Sequence, residues 1–260
     1  MNAEESYIYG LLLADGNIYF SHSKDRAIDN RGRVSLEVNS KDKDIIVKLF
    51  NLIPNSHIRE RTRDTNFKKD YTTCLFVNSQ KGFRDWLIDC GFPKEDKTFK
   101  AAPPKIDYSK EDFWRGFIDG DGSLGFTKTG KPFVSIVTTS ELIKDSFCDY
   151  IYERYGILKH LNKNKRDSAY NIVLQQEDAV NLIRDLWQKD CLCLDRKAAK
   201  ANQIRQWVRP KGMQKRCCRQ IWTKEQDEYI LTHSLEDSTH ALHRTKGSIQ
   251  TRLSKLSKQA

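Results

Sequence analysis

One ten-residue pattern is written twice in this chain. Tyr7-Ile8-Tyr9-Gly10-Leu11-Leu12-Leu13-Ala14-Asp15-Gly16 returns as Phe113-Trp114-Arg115-Gly116-Phe117-Ile118-Asp119-Gly120-Asp121-Gly122. Each copy predicts an apolar helix with small residues four apart, Gly10/Ala14 and Gly116/Gly120, that stops at Asp-Gly, the Gly suited to a left-handed C-cap. Small residues on one face let two such helices approach closely. Packed side by side in parallel, the copies bring Asp15 and Asp121 out at the same end. A helix C-terminus already carries partial negative charge, and a carboxylate there costs about a few tenths of a kcal/mol. Two carboxylates meeting at two C-termini therefore ask for a cation. Oxygen ligands left partly open to solvent suit Mg²⁺ better than Zn²⁺, and metals bridging such acids serve in-line phosphodiester hydrolysis.

Between the copies, Asn17 to Ser23 and Val34 to Ser40 alternate as a hairpin about a polar turn. A helix over 45–53 with one apolar face follows, closed by Pro54. Next, on a strand His57 to Arg63, the side chains of Arg59, Arg61 and Arg63 share one face at period two. Such a row suits phosphate contacts, or else marks a solvated edge strand. Tyr71 to Val77 is the return strand, and Phe83 to Cys90 a second helix. The order then repeats. Ser123 to Lys128 and Phe133 to Ser140 predict a hairpin, Leu142 to Tyr155 a helix, Leu158 to Lys165 and Tyr170 to Gln175 a strand pair, and Glu177 to Gln188 the closing helix. Lys159, Lys163 and Lys165 would echo the arginine row. The chain thus supplies its own pseudo-dimer, whose two-fold suits duplex DNA, with two four-stranded sheets as a saddle over the grooves.

Both copies of the opening pattern resemble the LAGLIDADG motif of the homing endonucleases, in the form with two motifs on one chain. Asp119 keeps the motif's other acid, where the first copy has Leu13. The resemblance implies the same αββαββα repeat over residues 5 to 202, and metal binding by Asp15 and Asp121 with the backbone of Gly16 and Gly122 beside them. Two or three Mg²⁺ ions would be shared between the two acids. Lys97 and Lys197 stand in similar context, 81 and 75 residues beyond the motif glycines. A basic residue at this place in the family helps polarise the scissile phosphate or the attacking water, a role suited to developing charge. The other role open to these lysines is a solvated charge at a helix start. Ser40 and Ser140 match a place where relatives carry a water-organising side chain, often Gln; serine is shorter, and capping the following helix is its other role. The family also implies cleavage across the minor groove with short 3′ overhangs.

Charge points the same way. The formal balance is +10 with a pI of 9.2, which favours a polyanionic partner. Gln203 to Ala260 holds 12 Lys/Arg against 5 Asp/Glu, so most of the excess sits in the tail. Arg205 to Arg219 has six basic residues and no acid, the profile of a basic linker or groove-tracking arm. Beyond it Thr223 is placed to cap a helix, with Gln226 at its third position, Ala241-Leu242 fall in a short second helix, and Ser248 to Lys258 predicts a third. This resembles a Myb-like or helix-turn-helix module, in which Gln250, Thr251 and Lys255 face DNA and Arg252 either reads a base or pairs with Glu225 or Glu228. The alternative is a helical clip on the main domain. The seven cysteines are odd in number and never spaced C-x-x-C, which reads as reduced thiols and neither a disulfide frame nor a zinc site. The one early apolar run is too short to span a membrane and follows acidic residues, unlike a signal peptide.

The expectation is an α+β chain: repeats over 1–100 and 101–202 forming a DNA-binding saddle, a basic linker over 203–220, and an all-α module over 221–260. It would be a soluble, monomeric, intracellular, Mg²⁺-dependent endonuclease that makes a double-strand break in a long DNA target. Its setting would be the cytoplasm of a bacterium or phage-infected cell, or an organelle. Two rivals come from other classes. An RNA maturase, with intron RNA as partner, needs the basic surface but not both acids; a transcription regulator on a dead copy of the fold would have lost at least one.

Overall fold

The computed structural model describes residues 1–20, 31–64, 69, 71–213 and 222–257. The chain divides into two compact units, Met1–Arg209 and Pro210–Ala260.

At the centre of the first unit lies helix α1 (Ala3–Asp15), opened by a reciprocal capping box between Asn2 and Glu5 and buried from Ser6 to Ala14. A helix that is apolar all round must sit inside the protein. Its partner is α5 (Lys110–Asp121), capped by Ser109 and buried from Phe113 to Asp119. The contact is reciprocal. A Cβ on Gly10 would fall inside 3.0 Å of Phe113 O, and one on Gly116 inside 3.0 Å of Tyr7 O. Both pairs are related by the same 106-residue step that relates the motifs, so the sequence repeat is also a repeat in space.

Each central helix runs straight into a sheet. β1 (Gly16–Phe20), β2 (Gly32–Asn39), β3 (Ser56–Arg63) and β4 (Tyr71–Asn78) form an antiparallel sheet in the order β1-β2-β4-β3. Val34, Leu36, Cys74 and Phe76 point into the core, together with Ile45, Ile46 and Leu49 of α2 (Lys43–Leu52). α3 (Lys81–Asp89) and the single turn α4 (Lys97–Lys100) complete the first repeat. In the second, β5 (Gly122–Phe126), β6 (Pro132–Thr138) and β7 (Tyr170–Gln175) carry α6 (Glu141–Tyr155), α7 (Glu177–Leu186) and α8 (Asp195–Arg205). The result is a mixed α+β fold of two related halves, each an antiparallel sheet backed by helices.

Two expectations are corrected. Leu158 to Lys165 is not a strand, so the second sheet has three strands where four were expected. The segment is rich in Lys and Asn, with no β-branched residue, a composition poor in strand propensity. It follows the rim of β7 by side chain instead, Lys159 Nζ donating to Val173 O at 2.8 Å, which blunts an exposed edge. The Asp-Gly glycines are not left-handed either. Gly16 (φ −75°) and Gly122 (φ −90°) are extended. Glycine is needed there because the chain folds back on its own helix as it enters the strand: a Cβ would strike the Leu12 backbone in one case and Ile118 in the other.

The second unit is all helical: α9 (Lys224–Thr232), α10 (Leu235–Leu242) and α11 (Lys246–Leu256), capped by Thr223, Ser234 and Thr245. Ile230 and Ile249 form its small core. Arg244 lies 4.0 Å over the Trp222 ring and donates to Gln226 Oε1, so the Gln226 side chain serves this contact. Arg252 pairs with Asp227, and not with Glu225 or Glu228, through Nε and Nη2 at 2.7 and 2.5 Å. The guanidinium holds the Asp227 carboxyl below its usual range. A carboxyl whose pKa is depressed on folding contributes stability above its unfolded pKa and loses it as pH falls through the folded value. Amide exchange within residues 222–257 should therefore accelerate as pH drops below the ordinary carboxylate range, after correction for the intrinsic rate. Asp227→Asn should bring the same acceleration at neutral pH, while exchange in α1 and α5 stays unchanged.

The end of the first β1–β2 strand at Ser23, the arm residues 214–221 and Lys258 lie outside the described residues. Among the described residues the five cysteines are free, and no helix is long and apolar enough to cross a membrane.

Candidate active site

Asp15 and Asp121 are the last residues of α1 and α5, and the close helix contact brings them to one place. A Cβ on Gly120, one residue before Asp121, would lie 3.4 Å from Asp15 Oδ2. The small residues that permit this approach are thus also what sets the acids together. Both side chains keep surface in solvent, yet the protein around them raises both carboxyls above their usual 3.8, burial being the largest cause. Asp15 raises Asp121 further, while Lys97 and Lys197 pull both acids down. Two acids and two lysines therefore form one electrostatic cluster.

The lysines do not face solvent as helix-start charges. Lys97, the first residue of α4, donates to Ala14 O and Gly16 O, both at 2.6 Å. Lys197, in α8 and 5% exposed, donates to Ile118 O, Asp119 O and Gly122 O at 2.5, 2.8 and 2.9 Å. The last carbonyls of a helix have no intrahelical donor, and a cation there also meets the negative end of the helix dipole. Each lysine thus caps the central helix of its own repeat at the aspartate. Burial lowers both amines; Asp121 and then Asp15 raise Lys97, and Asp119 raises Lys197. Removing a buried charge from such a site costs about 3–5 kcal/mol, and each kcal/mol is worth about 2–4 °C in a domain of this size. Lys197→Met should accordingly lower the melting temperature by about 10 °C, and Lys97→Met, with two carbonyls and more solvent, by less; thermal melts followed by circular dichroism would check both.

Gly16 O and Gly122 O, expected beside a metal, each accept a lysine. The donor set fits a hard cation: carboxylate and carbonyl oxygens, in contact with solvent, with two acids held together against their repulsion. No third His, Cys, Asp or Glu joins them among the described residues. A cleft of 280 Å³ opens beside Asp121, lined also by Ala14, Lys97, Thr98, Phe117 and Val137.

Asp119 has a different part. Its side chain is buried, accepting from Tyr7 Oη and Leu194 N at 2.7 Å each, and burial pushes its pKa up to about 6. It ties α1 and α5 to the segment that leads to Lys197. Arg115, also buried, donates to Leu186 O and Leu192 O and pairs with Asp112. The two serines differ. Ser140 is buried, caps α6 through Ile143 N and donates to Ala101 O at 2.6 Å, whereas Ser40 is exposed in a 3-10 turn that Asn39 caps.

A set of ion pairs across the repeats was not legible in the sequence. Arg196 binds Asp42 through two nitrogens at 2.9 and 3.0 Å, and Lys48 reaches Asp195 at 2.5 Å and Cys193 O at 2.7 Å. These contacts fix the start of α8, one residue before Lys197, against the start of α2. Their signal was only Asp195-Arg196 beside a lysine already singled out.

Arg59 and Arg61 stand exposed on the open face of β3, an edge strand, and the Arg63 backbone continues the row. The lysine row does not exist as a row. Lys159 serves the β7 edge, Lys163 pairs with Glu141 at 2.9 Å on the α6 side of its sheet, and Lys165 is exposed in a turn. In the second unit Gln250, Thr251 and Lys255 share the exposed side of α11, and Thr251 Oγ1 bonds back to Gly247 O.

Comparison with solved structures places the fold. The chain matches the LAGLIDADG meganuclease I-AabMI bound to uncleaved DNA, with a TM-score of 0.50 and 10% identity over 76% of this chain and 87% of that one. It also matches the I-SmaMI LAGLIDADG homing endonuclease bound to cleaved DNA (0.48, 13%, 76% and 86%). A third match is the I-LtrWI LAGLIDADG homing endonuclease bound to target DNA (0.45, 15%, 78% and 88%). No protein-family model and no curated protein matches the chain. At this identity the likeness is one of fold: the first unit has the α+β saddle of the LAGLIDADG proteins.

Proposed function

We propose that this chain is a site-specific endonuclease of the LAGLIDADG homing family that makes a metal-dependent double-strand break in a long DNA target. One observation carries the reading: Asp15 and Asp121 emerge together from two helices in close contact, each helix end capped by a lysine, so that a solvent-open pair of acids sits beside two lysine cations. Asp15 and Asp121 would hold Mg²⁺, with the backbone of Gly16 and Gly122 beside them. Bound there, the metal would polarise the phosphate and make a hydroxide nucleophile accessible near neutral pH.

The chain's own residues supply the rest. Lys97 has two of its three N–H groups on carbonyls and keeps the third for a phosphate oxygen or a water at the cleft. Lys197 has all three engaged, so it acts by holding the α5 terminus and by its charge. Arg59 and Arg61, with Arg63 next along the strand, meet the duplex. The second unit is a Myb-like or helix-turn-helix reading head with Gln250, Thr251 and Lys255 toward DNA. Both motifs lie in one chain, so a monomer is sufficient.

The test is cleavage of a plasmid library carrying randomised inserts by the full chain with Mg²⁺, followed by sequencing of the ends. A defined enriched sequence with short 3′ overhangs, abolished by chelation, is expected. Binding to intron RNA without cutting of any duplex would sink the endonuclease reading in favour of a maturase.

A further inference from the structure

The two repeats share an active-site design but not a sheet chemistry. Strands β5, β6 and β7 read Gly-Ser-Leu-Gly-Phe, Pro-Phe-Val-Ser-Ile-Val-Thr and Tyr-Asn-Ile-Val-Leu-Gln, without one charged residue. Strands β1 to β4 hold Arg33, Arg59, Arg61 and Arg63 against Glu37 and Glu60.

The ladder register sorts these residues by face, since directly paired residues share one side. On the side away from the core, the first sheet sets Arg59 beside Leu75 and Glu37, Arg61 beside Thr73 and Asn39, and Arg33 beside Tyr19. Glu37 accepts from Thr73 Oγ1 at 2.6 Å, and Lys43 takes Glu60 on the opposite face. The open face is therefore cationic. On the second sheet the same side presents Ser123, Ser135 and Val173 in one row, Val137 with Asn171, and Phe133 with Gln175. Val137 is 47% exposed, large for a valine in a middle strand. The cations that would have balanced the halves are elsewhere: Lys159 on the strand edge, Lys163 with Glu141 across the sheet, and Lys128 and Lys131 in the β5–β6 turn.

We infer that the two halves of the DNA target are read unequally, the half over the second sheet being an A·T-rich segment recognised without charge, through thymine methyls and adenine edges. This rests on the endonuclease reading above. Arginine pairs with guanine O6/N7 or with phosphate, whereas Asn and Gln match adenine N6/N7 and an aliphatic side chain matches the thymine methyl. Val137 and Val173 supply the apolar contact, and Asn171 and Gln175 the amides. An uncharged face neutralises no phosphates, so the salt dependence contributed by the sheets falls on Arg33, Arg59 and Arg61.

The experiment uses the full chain and the duplex enriched from the randomised library. One half of the site should be A·T-rich, the other should contain guanine. Replacing thymine by deoxyuracil removes only the methyl; in the A·T-rich half each replacement at a contacted thymine should weaken binding by about fourfold, the worth of one buried methyl, and in the other half should change little. Val137→Ser should reproduce the loss on thymine DNA, show none on deoxyuracil DNA, and leave the salt slope alone, while Arg59→Gln or Arg61→Gln should weaken binding and make the slope shallower, by about 0.9 for each phosphate that is no longer neutralised. A cut, enriched site whose halves respond alike to deoxyuracil, or a Val137→Ser loss that persists on deoxyuracil DNA, overturns this inference and leaves the endonuclease standing. No cutting and no enriched duplex overturns the endonuclease, and this inference with it.

Discussion

Asp121→Asn is expected to abolish double-strand cleavage, by about 10²–10³-fold or more, while leaving DNA binding intact, and Asp15→Asn to do the same. The second acid alone cannot hold a cation shared between two. Stability should move the other way. Burial and the neighbouring carboxylate raise the Asp121 pKa on folding, so the folded state binds protons more readily than the unfolded one, and stability falls as pH rises from the unfolded value through the raised folded one. An asparagine escapes that loss. Without metal, the variant should therefore melt higher than the parent at pH 7, and the gain should vanish below the unfolded carboxylate pKa. Adding Mg²⁺ should reverse the order, because a ligand that binds only the folded state raises the parent's melting temperature and has little to bind in the variant. Thermal melts with Mg²⁺ and with chelator, beside a cleavage assay, read both effects. Cleavage by the Asp15→Asn/Asp121→Asn double variant at the parent's rate would end the assignment.

Much of the fold could be read in the residues because helix contacts leave a local trace. Gly10/Ala14 and Gly116/Gly120 sit at helical spacing inside apolar runs, and that spacing has one economical explanation, a helix facing its own copy. The first sheet was legible for a similar reason, since its strands alternate and pair over their full length. What failed was the inference from repetition itself. Leu158 to Lys165 was expected as a strand because the first repeat has one there, but Lys and Asn contribute little to a ladder, and one Lys159 bond serves the β7 edge. The roles of Lys97 and Lys197 were legible only as charge; that each would commit its N–H groups to helix-terminal carbonyls depends on a chain path some 80 residues long. The burial of Asp119 and the Arg196–Asp42 pair are likewise products of tertiary placement. The Asp-Gly glycines show a narrower point: both positions require glycine, but for close packing at an ordinary φ and not for a left-handed turn.

That packing sets the other large effect, which concerns Gly10 and Gly116. At both positions even an alanine methyl would lie inside 3.0 Å of a backbone carbonyl of the facing helix, Phe113 O in one case and Tyr7 O in the other. Backbone cannot turn aside as a flexible side chain can, so relief requires the two helices to separate. Overpacking of a well-filled interior costs about 1–3 kcal/mol and sometimes more, which in a domain of this size lowers the melting temperature by about 2–12 °C. Leucine should cost more than alanine. The control is Gly82 in α3, where an added methyl meets nothing within 4 Å; there alanine should stabilise by up to about 1 kcal/mol through helix propensity. Separation of α1 from α5 also carries Asp15 away from Asp121, and a displacement of about 1 Å suffices to cost about 10²-fold in a reaction that depends on position. Gly10→Ala and Gly116→Ala should thus lose cleavage at temperatures where circular dichroism still reports a folded protein, and Gly82→Ala should not. If Gly116→Leu melted and cut like the parent, α1 and α5 would not meet as described, and the shared metal site would go with them.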